Sequence, residues 1–226
     1  MLEVRDWQAI AVTLQLCVTT TLILFIVGMP LAWWLAHTRS RWRPAVEALV
    51  ALPLVLPPTV LGFYLLIALG PNGPIGGLLQ SFGIQHLAFS FSGILIGSFL
   101  YSLPFMVQPL HDGFRSLGRQ PIEIAATLGA GPIDRFFSIV VPLMKTSIFT
   151  AGTLSFAHTM GEFGVVLMIG GSIAGETQVL SIAIYDATEA MNYSRAHILS
   201  AMLLISSFLI LSALFFFRAR PQAVWK

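Results

Sequence analysis

The chain has 226 residues, of which 56% are hydrophobic and only 10% are charged, and its formal net charge is +2. Because a typical soluble domain carries about 25% charged residues, this composition excludes an ordinary soluble protein and predicts one integral membrane domain over residues 1–226. The single cysteine, Cys17, excludes an internal disulfide and a cysteine-based metal cluster.

Five apolar stretches are long enough to cross a bilayer as helices, since about 20 apolar residues span the hydrocarbon core. The expected spans are about 9–36, 48–69, 89–110, 146–170 and 198–217. A further apolar stretch, 177–185, is too short to cross, and we expect residues 177–190 to form an interfacial or re-entrant element. The sequence thus predicts an all-α integral membrane protein with five transmembrane helices.

The distribution of basic residues indicates how the chain is oriented in the membrane. Ten of the twelve lie in alternate loops and in the C-terminal tail: Arg39, Arg41, Arg43, Arg115, Arg119, Arg135, Lys145, Arg218, Arg220 and Lys226. The other side keeps only Arg5 and Arg195. Since basic loops stay in the cytoplasm, we expect the N-terminus outside the cell and the C-terminus inside.

Residues 121–142, between the third and fourth spans, are too short and too polar to cross the membrane. Pro121 suits the first turn of a helix, and Glu123 places a negative charge near the positive end of the helix dipole. Gly129 and Gly131 are typical of a helix end. The sequence therefore predicts a short cytoplasmic helix followed by a turn.

A second amphipathic helix is predicted to begin at Pro132 and to end at Pro142. Its apolar residues are spaced as on one face of such a helix. They are Ile133, Phe136, Phe137, Val140 and Val141. The helix pair either lies on the bilayer surface or forms a docking site for a cytoplasmic partner.

A family resemblance bears on these alternatives. The order of a glutamate, two alanines, a glycine and a distant proline is similar to the "EAA" loop of ABC importer permeases, although Ile124 and Val141 depart from the usual residues. In that family the loop forms coupling helices that dock into a cleft on a separate ATPase subunit. The residues that the resemblance assigns to ATPase coupling are Glu123, Ala125, Ala126, Gly129, Ala130, Asp134 and Phe136.

The chain contains no phosphate-binding loop of the form Gly-x4-Gly-Lys-Ser/Thr. It has only two lysines, and Lys145, although followed by threonine, is preceded by Met144. We therefore expect no catalytic residue and no cofactor in this chain. The resemblance implies that ATP and Mg²⁺ are bound by the partner ATPase.

Three more stretches extend the resemblance over most of the chain: "LPLVLPPTVLGFYLL" at 52–66, "HTMGEFGVVLMIGG" at 158–171 and "IAGETQVLSIAIYD" at 173–186. They are similar to the permeases of oxyanion ABC importers, and the first and third point more narrowly to molybdate. The resemblance implies a type I importer permease fold in a bacterial inner membrane. Residues 121–142 would then be the cytoplasmic coupling-helix pair.

The same resemblance implies the partners. Two copies of the chain would line a central path as a homodimer, and an ABC ATPase dimer would bind the coupling helices. A periplasmic or extracellular oxyanion-binding protein would deliver the substrate. Membrane lipid surrounds such a chain, and nothing in the sequence points to nucleic acid.

Three residues are candidates for the translocation path or its gate: Pro57, Pro58 and Glu162. The two prolines interrupt the backbone hydrogen bonding of a span, and we expect a packed kink there rather than substrate ligands. Glu162 is the only acidic residue within the expected spans. Such a residue is a functional candidate, but a dianion path disfavours a bare carboxylate. We therefore expect a structural role, with Glu162 bonded to backbone, to a helix end or to a polar neighbour such as His158. No metal site is expected.

An oxyanion importer for molybdate has three alternatives. The permease of a tungstate or sulfate/thiosulfate importer is the nearest alternative. An ion-coupled secondary transporter would need coupling-ion residues within its spans and two topological repeats. A membrane enzyme would need a cluster of acid, base or metal-binding groups. The sequence shows neither set of features.

Overall fold

The computed structural model describes residues 3–218, and the side chains of residues 3–216. Within that range every regular element is a helix. The helices are α1 (Val4–His37), α2 (Arg43–Val55), α3 (Pro58–Leu69), α4 (Pro74–Ser81), α5 (Phe91–Leu117), α6 (Gln120–Thr127), α7 (Pro132–Arg135), a π-helix (Phe136–Val140), α8 (Val141–Leu143), α9 (Lys145–Met160), α10 (Gly164–Gly170), α11 (Leu180–Glu189) and α12 (Tyr193–Arg218). Arg220 and Lys226, which entered the expected orientation, lie outside the described residues.

Among the described residues, 4 helical stretches are long and apolar enough to cross a membrane: Val4–His37, Pro58–Ser81, Phe91–Leu117 and Tyr193–Phe216. The number rises to 5 if Pro132–Leu143 and Lys145–Met160, which are bent by 74° at Met144, count as one span. The expected second and fourth spans, 48–69 and 146–170, are each divided into two helices.

The first division lies at Leu56 and Pro57. Leu56 has ψ 135° and Pro57 has ψ 136°, so both are extended rather than helical. The reason is local, because each of the two consecutive prolines pushes the residue before it out of the helical region. Helix α3 then starts at Pro58, whose missing N–H is not needed in the first turn. Pro53, by contrast, lies inside α2.

The second division lies between Met160 and Gly164. Phe163, with φ −129° and ψ −64°, is outside the α-helical region and forms the N-cap of α10. Glu162 is therefore not on a continuous helix but in the break between α9 and α10.

The two broken spans contact each other near their breaks. A Cβ added at Gly164 would lie 2.9 Å from Cβ of Pro58, and one added at Gly62 would lie 2.7 Å from Cβ of Met168. Glycine at these two positions lets α3 and α10 approach closely. Pro58 is thereby packed against α10, whereas Pro57 is exposed.

The segment 177–190 forms α11, which packs between α1 and α12. Ala183 of α11 lies in a buried cluster with Ala9 of α1 and Leu199 of α12. The start of α11 is fixed by Thr13, whose Oγ1 accepts a hydrogen bond of 2.8 Å from the Leu180 N–H.

The main core cluster joins α1, α2, α5 and α9 to the segment after α7. Its buried members are Leu24, Ala32, Leu35, Val50, Met106, Val107, Leu110, Phe114, Val140, Met144 and Ala151. Helices α1 and α5 approach closely at Gly28, where an added Cβ would lie 2.8 Å from Cγ of Met106. The cluster therefore fixes the segment that follows α7 to the helix bundle.

Candidate functional site

Residues 120–143, from the start of α6 to the end of α8, are called here the coupling segment. Its first helix ends in a turn around Gly129, whose φ is +87°. The Ala130 N–H donates to the Ala125 carbonyl at 3.0 Å, and the Gly129 N–H donates to the Ala126 carbonyl at 3.1 Å. A left-handed φ is accessible to glycine at little cost, so Gly129 sets the direction in which the chain leaves α6.

The second half of the coupling segment differs from the expected single amphipathic helix. Residues 136–140 form a π-helix, and Pro142 lies inside α8 instead of ending the segment. The Val141 N–H bonds back to the Phe136 carbonyl, five residues earlier. This wider turn lies next to Pro142, whose ring would otherwise meet the carbonyl four residues before it.

The π-helix divides the expected apolar stripe between two faces. Phe136 packs against the main core cluster and Val140 is a buried member of it. Ile133 and Phe137 are instead 76% and 65% exposed. A single stripe was therefore the wrong expectation for this segment.

The inner face of the coupling segment holds two of the residues expected to contact a partner. Ala125 is only 5% exposed, and Phe136 packs on the core cluster together with Ile122. The small Ala125 side chain is thus buried within this chain. Ile122 and Phe136 hold the segment against the bundle.

The coupling segment also carries exposed apolar side chains, and we name the four that lie from α6 to the π-helix the coupling patch. Ile124 is 53% exposed, Leu128 is 82%, Ile133 is 76% and Phe137 is 65%. Around the patch lie further exposed residues of the predicted coupling set: Glu123, Ala126, Gly129 and Asp134. Ala130 is half-buried. Large apolar side chains grouped on a surface are typical of a protein interface.

Glu162, in the break between α9 and α10, is 4% exposed. Neither of its carboxylate oxygens has a hydrogen-bond partner among the residues that the structure describes. The Ser98 hydroxyl faces the carboxylate but lies outside hydrogen-bonding geometry. The backbone of Glu162 is held by Ser181, whose hydroxyl donates a hydrogen bond of 2.6 Å to the Glu162 carbonyl. The carboxylate thus has a polar neighbour, as expected, and Ser98 is that neighbour.

His158 is not the partner of Glu162. Its Nδ1 is hydrogen-bonded to the Ser102 hydroxyl at 2.9 Å, and the same hydroxyl is 2.9 Å from Oγ1 of Thr159. The imidazole is stacked on Phe105 with 4.0 Å between ring centroids. The ring therefore links α9 to α5, although His158 and Glu162 are only one turn apart in sequence.

Comparison with known proteins then identifies the chain. Residues 28–223 match the family described as binding-protein-dependent transport system inner membrane component. The chain belongs to this family of permeases.

Two curated relatives and one solved structure extend this result. The chain is 54% identical over 214 residues to the molybdenum transport system permease protein ModB of Azotobacter vinelandii, covering 95% of each chain. It is 32% identical over 203 residues to the sulfate transport system permease protein CysT of Salmonella typhimurium, covering 90% of this chain and 73% of that one. The chain also matches a solved structure with a TM-score of 0.77 and 18% identity, covering 96% of this chain and 80% of that chain. That structure is the crystal structure of a bacterial alginate ABC transporter in complex with alginate pentasaccharide-bound periplasmic protein.

These findings confirm the type I ABC importer permease fold that the sequence predicts. They also confirm the assignment to ABC importer permeases, and with it a multi-pass transport subunit of the inner membrane.

In this permease, a polar groove that sequence reasoning missed lies between α5 and α9. It has a volume of about 520 Å³. Its polar lining residues are Gln108, Asp112, Ser116, Thr146, Ser147 and Thr150. Gln108, Asp112 and Ser116 recur every four positions on α5, as Thr146 and Thr150 do on α9, and this spacing was the sequence signal that could have found them. The groove begins near the coupling segment, because Gly113 of α5 packs against both Ser147 and Met144.

Proposed function

We propose that this permease is the membrane-spanning subunit of an ATP-driven ABC importer for molybdate. One observation supports the choice of substrate: the chain is 54% identical, over 95% of both chains, to a relative named as a molybdenum permease. Identity to the relative named as a sulfate permease is 32%. Tungstate, which is a tetrahedral dianion like molybdate, and sulfate or thiosulfate are the alternatives within the same class of importer.

The proposed assembly contains two copies of this chain. A single copy has 4 or 5 candidate spans among its described residues, and the homodimer supplies the second wall of a central path. A cytoplasmic ATPase dimer binds ATP and Mg²⁺ and contacts the coupling patch of each copy. A periplasmic or extracellular binding protein delivers the oxyanion. The N-terminus is outside and the C-terminus cytoplasmic, in agreement with the distribution of basic residues.

The structure supports the coupling segment as a rigid lever in this assembly. Its coupling patch is exposed and apolar, while its inner face is fixed by Ile122, Phe136 and Val140. At Met144, which is 2% exposed, the chain turns by 74° into α9. A movement imposed on the coupling patch is therefore transmitted to α9, and through it to the break that holds Glu162.

The polar groove between α5 and α9 is the proposed inner part of the path. Gln108, Ser116, Thr146 and Thr150 offer neutral hydrogen-bond donors, which a tetrahedral oxyanion can accept. The groove lining includes no arginine or lysine. Neutral donors suit a path because a transported ion must bind strongly enough to enter and weakly enough to leave. Asp112 is the acidic residue in the lining, and repulsion by its carboxylate opposes tight retention.

The test is reconstitution of the full complex in proteoliposomes with the binding protein outside and ATP inside. We expect ATP-dependent uptake of labelled molybdate that excess unlabelled molybdate or tungstate reduces and excess sulfate leaves unchanged. Uptake of labelled sulfate in preference to molybdate would overturn the substrate assignment. ATP-independent uptake driven by an ion gradient would overturn the class of transporter.

A further inference from the structure

A basic cavity lies where the cytoplasmic ends of α1 and α5 meet the start of α2, in the proposed orientation. Its volume is about 320 Å³, and its lining includes Arg39, Arg43, Arg115 and Arg119. We name it the arginine pocket. The planar guanidinium group of arginine matches the oxygens of a phosphate group with paired hydrogen bonds.

The positive charge of the pocket is mostly not balanced by the chain itself. Arg43 is paired with Glu47 at 2.8 Å. Arg119 donates to the His37 carbonyl at 3.1 Å and so caps the end of α1 without losing its charge. The side chains of Arg39 and Arg115 have no ion pair or hydrogen bond to any residue in the described part of the chain. Three of the four guanidinium charges therefore remain available to an anion.

Arginines at this position can also keep a loop in the cytoplasm or cap a helix end. These two roles do not account for all four arginines of the pocket. Cations at the C-terminal ends of α1 and α5 are favourable because the helix dipole is negative there. Arg119 performs this role directly. Arg39 and Arg115 line the same cavity without bonding to a helix end, so their donors are free to bind an anion there.

An apolar groove of about 410 Å³ adjoins the arginine pocket. It follows α1 from Phe25 to Trp33, and its far wall is Phe136 of the coupling segment. Phe114 lines both cavities and packs edge-on against Trp33, with 5.0 Å between ring centroids. The eight helical steps from Phe25 to Trp33 rise by about 12 Å, which is long enough for a large part of an acyl chain.

Tryptophans place this part of the molecule at the boundary between lipid and water. Trp34 is 39% exposed and Trp42 is 61% exposed, and both are close in sequence to the pocket arginines. Tryptophan is enriched at the membrane interface. The pocket thus lies at the level of lipid headgroups, and the groove extends towards the acyl chains.

We propose that the permease binds one anionic phospholipid here, with its phosphate in the arginine pocket and an acyl chain in the apolar groove. The juxtaposition of unbalanced guanidinium groups and an apolar groove selects this occupant. A free oxyanion would use only the pocket. A zwitterionic lipid would bring no net charge to it. Basic pockets between helices on the cytoplasmic side are known to take anionic headgroups.

The bound lipid contacts the coupling segment at one residue and its N-terminal boundary at another. Arg119 is the N-cap of α6, and Phe136 is the first residue of the π-helix. A lipid held by both residues stabilises the inner face of the coupling segment against the bundle. This consequence rests on the proposed function, whereas binding of the lipid does not.

Binding is tested with the purified full chain in neutral detergent, by mass spectrometry of the intact protein with added phosphatidylglycerol. We expect one tightly bound lipid, and at least about tenfold weaker binding after Arg39→Gln with Arg115→Gln. The matched control is Arg5→Gln with Arg41→Gln, which removes the same charge from exposed positions outside the pocket and should bind as the wild type does. Both arginines of the test pair are exposed, and an unchanged melting temperature will show that the variant folds.

Four outcomes would overturn the proposal. Phosphatidylcholine could bind as tightly as phosphatidylglycerol, or the control pair could lose as much affinity as the test pair. Inorganic phosphate or molybdate at millimolar concentration could occupy the pocket and displace the lipid, which would make it a free-oxyanion site. Cross-linking from Ile26→Cys could capture a second copy of this chain, which would make the groove a subunit interface.

The effect on coupling is measured separately, as ATPase activity of the full complex in nanodiscs of phosphatidylglycerol or phosphatidylcholine. We expect higher activity with phosphatidylglycerol and no such difference for the Arg39→Gln and Arg115→Gln pair. Lipid binding without this difference would contradict the coupling role alone. A complex with no ATPase activity in either lipid would contradict the proposed function, and the lipid site would stand.

Discussion

Arg195 of α12 donates two hydrogen bonds to Oδ1 of the fully buried Asp6 in α1, from Nη2 at 2.6 Å and from Nε at 2.9 Å. The other oxygen of Asp6 accepts a bond of 2.7 Å from the Glu3 N–H. The two residues are 189 positions apart, so the pair joins the first and last helices of the described chain. Helix α12 needs such a contact because only 11% of its most apolar 18-residue stretch is buried.

Removing one member of this pair should destabilise the protein strongly. Arg195→Gln leaves the buried Asp6 carboxylate without its cation, and Asp6→Asn leaves the Arg195 guanidinium without its anion. Either change should cost about 3–5 kcal/mol of folding free energy. The measurement is thermal unfolding in detergent. Glu3→Gln is the control, because Glu3 is 58% exposed and 4.0 Å from the guanidinium, and it should change stability little. Equal losses in Glu3→Gln and Asp6→Asn would contradict the importance of the buried bond.

The coupling patch should be essential for ATPase binding and unimportant for folding. Leu128→Glu places a charge on a side chain that is 82% exposed, so the fold is retained while an apolar contact is lost. We expect binding of the ATPase to weaken by about 2 kcal/mol or more, which is roughly 30-fold, in a co-purification or titration assay. Met191→Glu changes an equally apolar residue, 76% exposed, between α11 and α12. The coupling patch would not be the ATPase contact if Met191→Glu lost ATPase binding or if Leu128→Glu kept it.

The turn of the coupling segment should depend on one glycine and not on its neighbour. Gly129→Ala must adopt a φ of +87°, at a cost of about 1–2 kcal/mol, and we expect weaker ATPase binding. Gly131 has φ −70°, and an added Cβ there meets no atom within 4 Å. Gly131→Ala should therefore bind the ATPase normally. The idea fails if the two alanine variants bind the ATPase equally.

Glu162→Gln should leave the permease folded while reducing transport. The buried carboxylate has no hydrogen-bond partner in the described part of the chain, and removal of an unsatisfied charge should maintain the free energy of unfolding or raise it by about 1 kcal/mol. Melting temperature and molybdate uptake are measured on the same preparation. Ser98→Ala, which alters the neighbouring hydroxyl, should have the smaller effect on uptake. If Glu162→Gln is less stable than the wild type but takes up molybdate normally, the role of Glu162 is purely structural.

The polar groove is tested by removing hydroxyl groups without changing side-chain shape. Thr146→Val with Thr150→Val takes two donors from the groove, and we expect uptake to slow by about tenfold, which corresponds to one to two hydrogen bonds. Thr153→Val is the matched control, because Thr153 lines an apolar groove on another face of α9. If all three valines have the same small effect, the groove is not part of the path.

Local constraints in the sequence predict several features of this structure. The double proline divides the second expected span because proline restricts its own backbone and that of the residue before it. Gly129 marks the turn of the coupling segment because only glycine adopts its φ easily. The apolar stretches identify the membrane class because the bilayer requires long apolar helices.

Other features depend on contacts between distant segments, which no local pattern contains. His158 is bonded to Ser102, 56 residues earlier, rather than to Glu162 in the next turn. Ala125 and Phe136 belong to the expected coupling set, yet Phe136 packs on the core of the bundle and Ala125 is buried.

The sequence by itself thus determined the membrane class, the first, third and fifth expected spans and the place of the coupling turn, since these follow from composition and from backbone restrictions of single residues. Only the tertiary structure decided which face of the coupling segment is exposed, which carboxylate is left without a partner, and which arginines surround a common cavity. Those outcomes depend on how α1, α5, α9 and α12 pack together, because packing selects one partner for each buried group from many that the sequence allows.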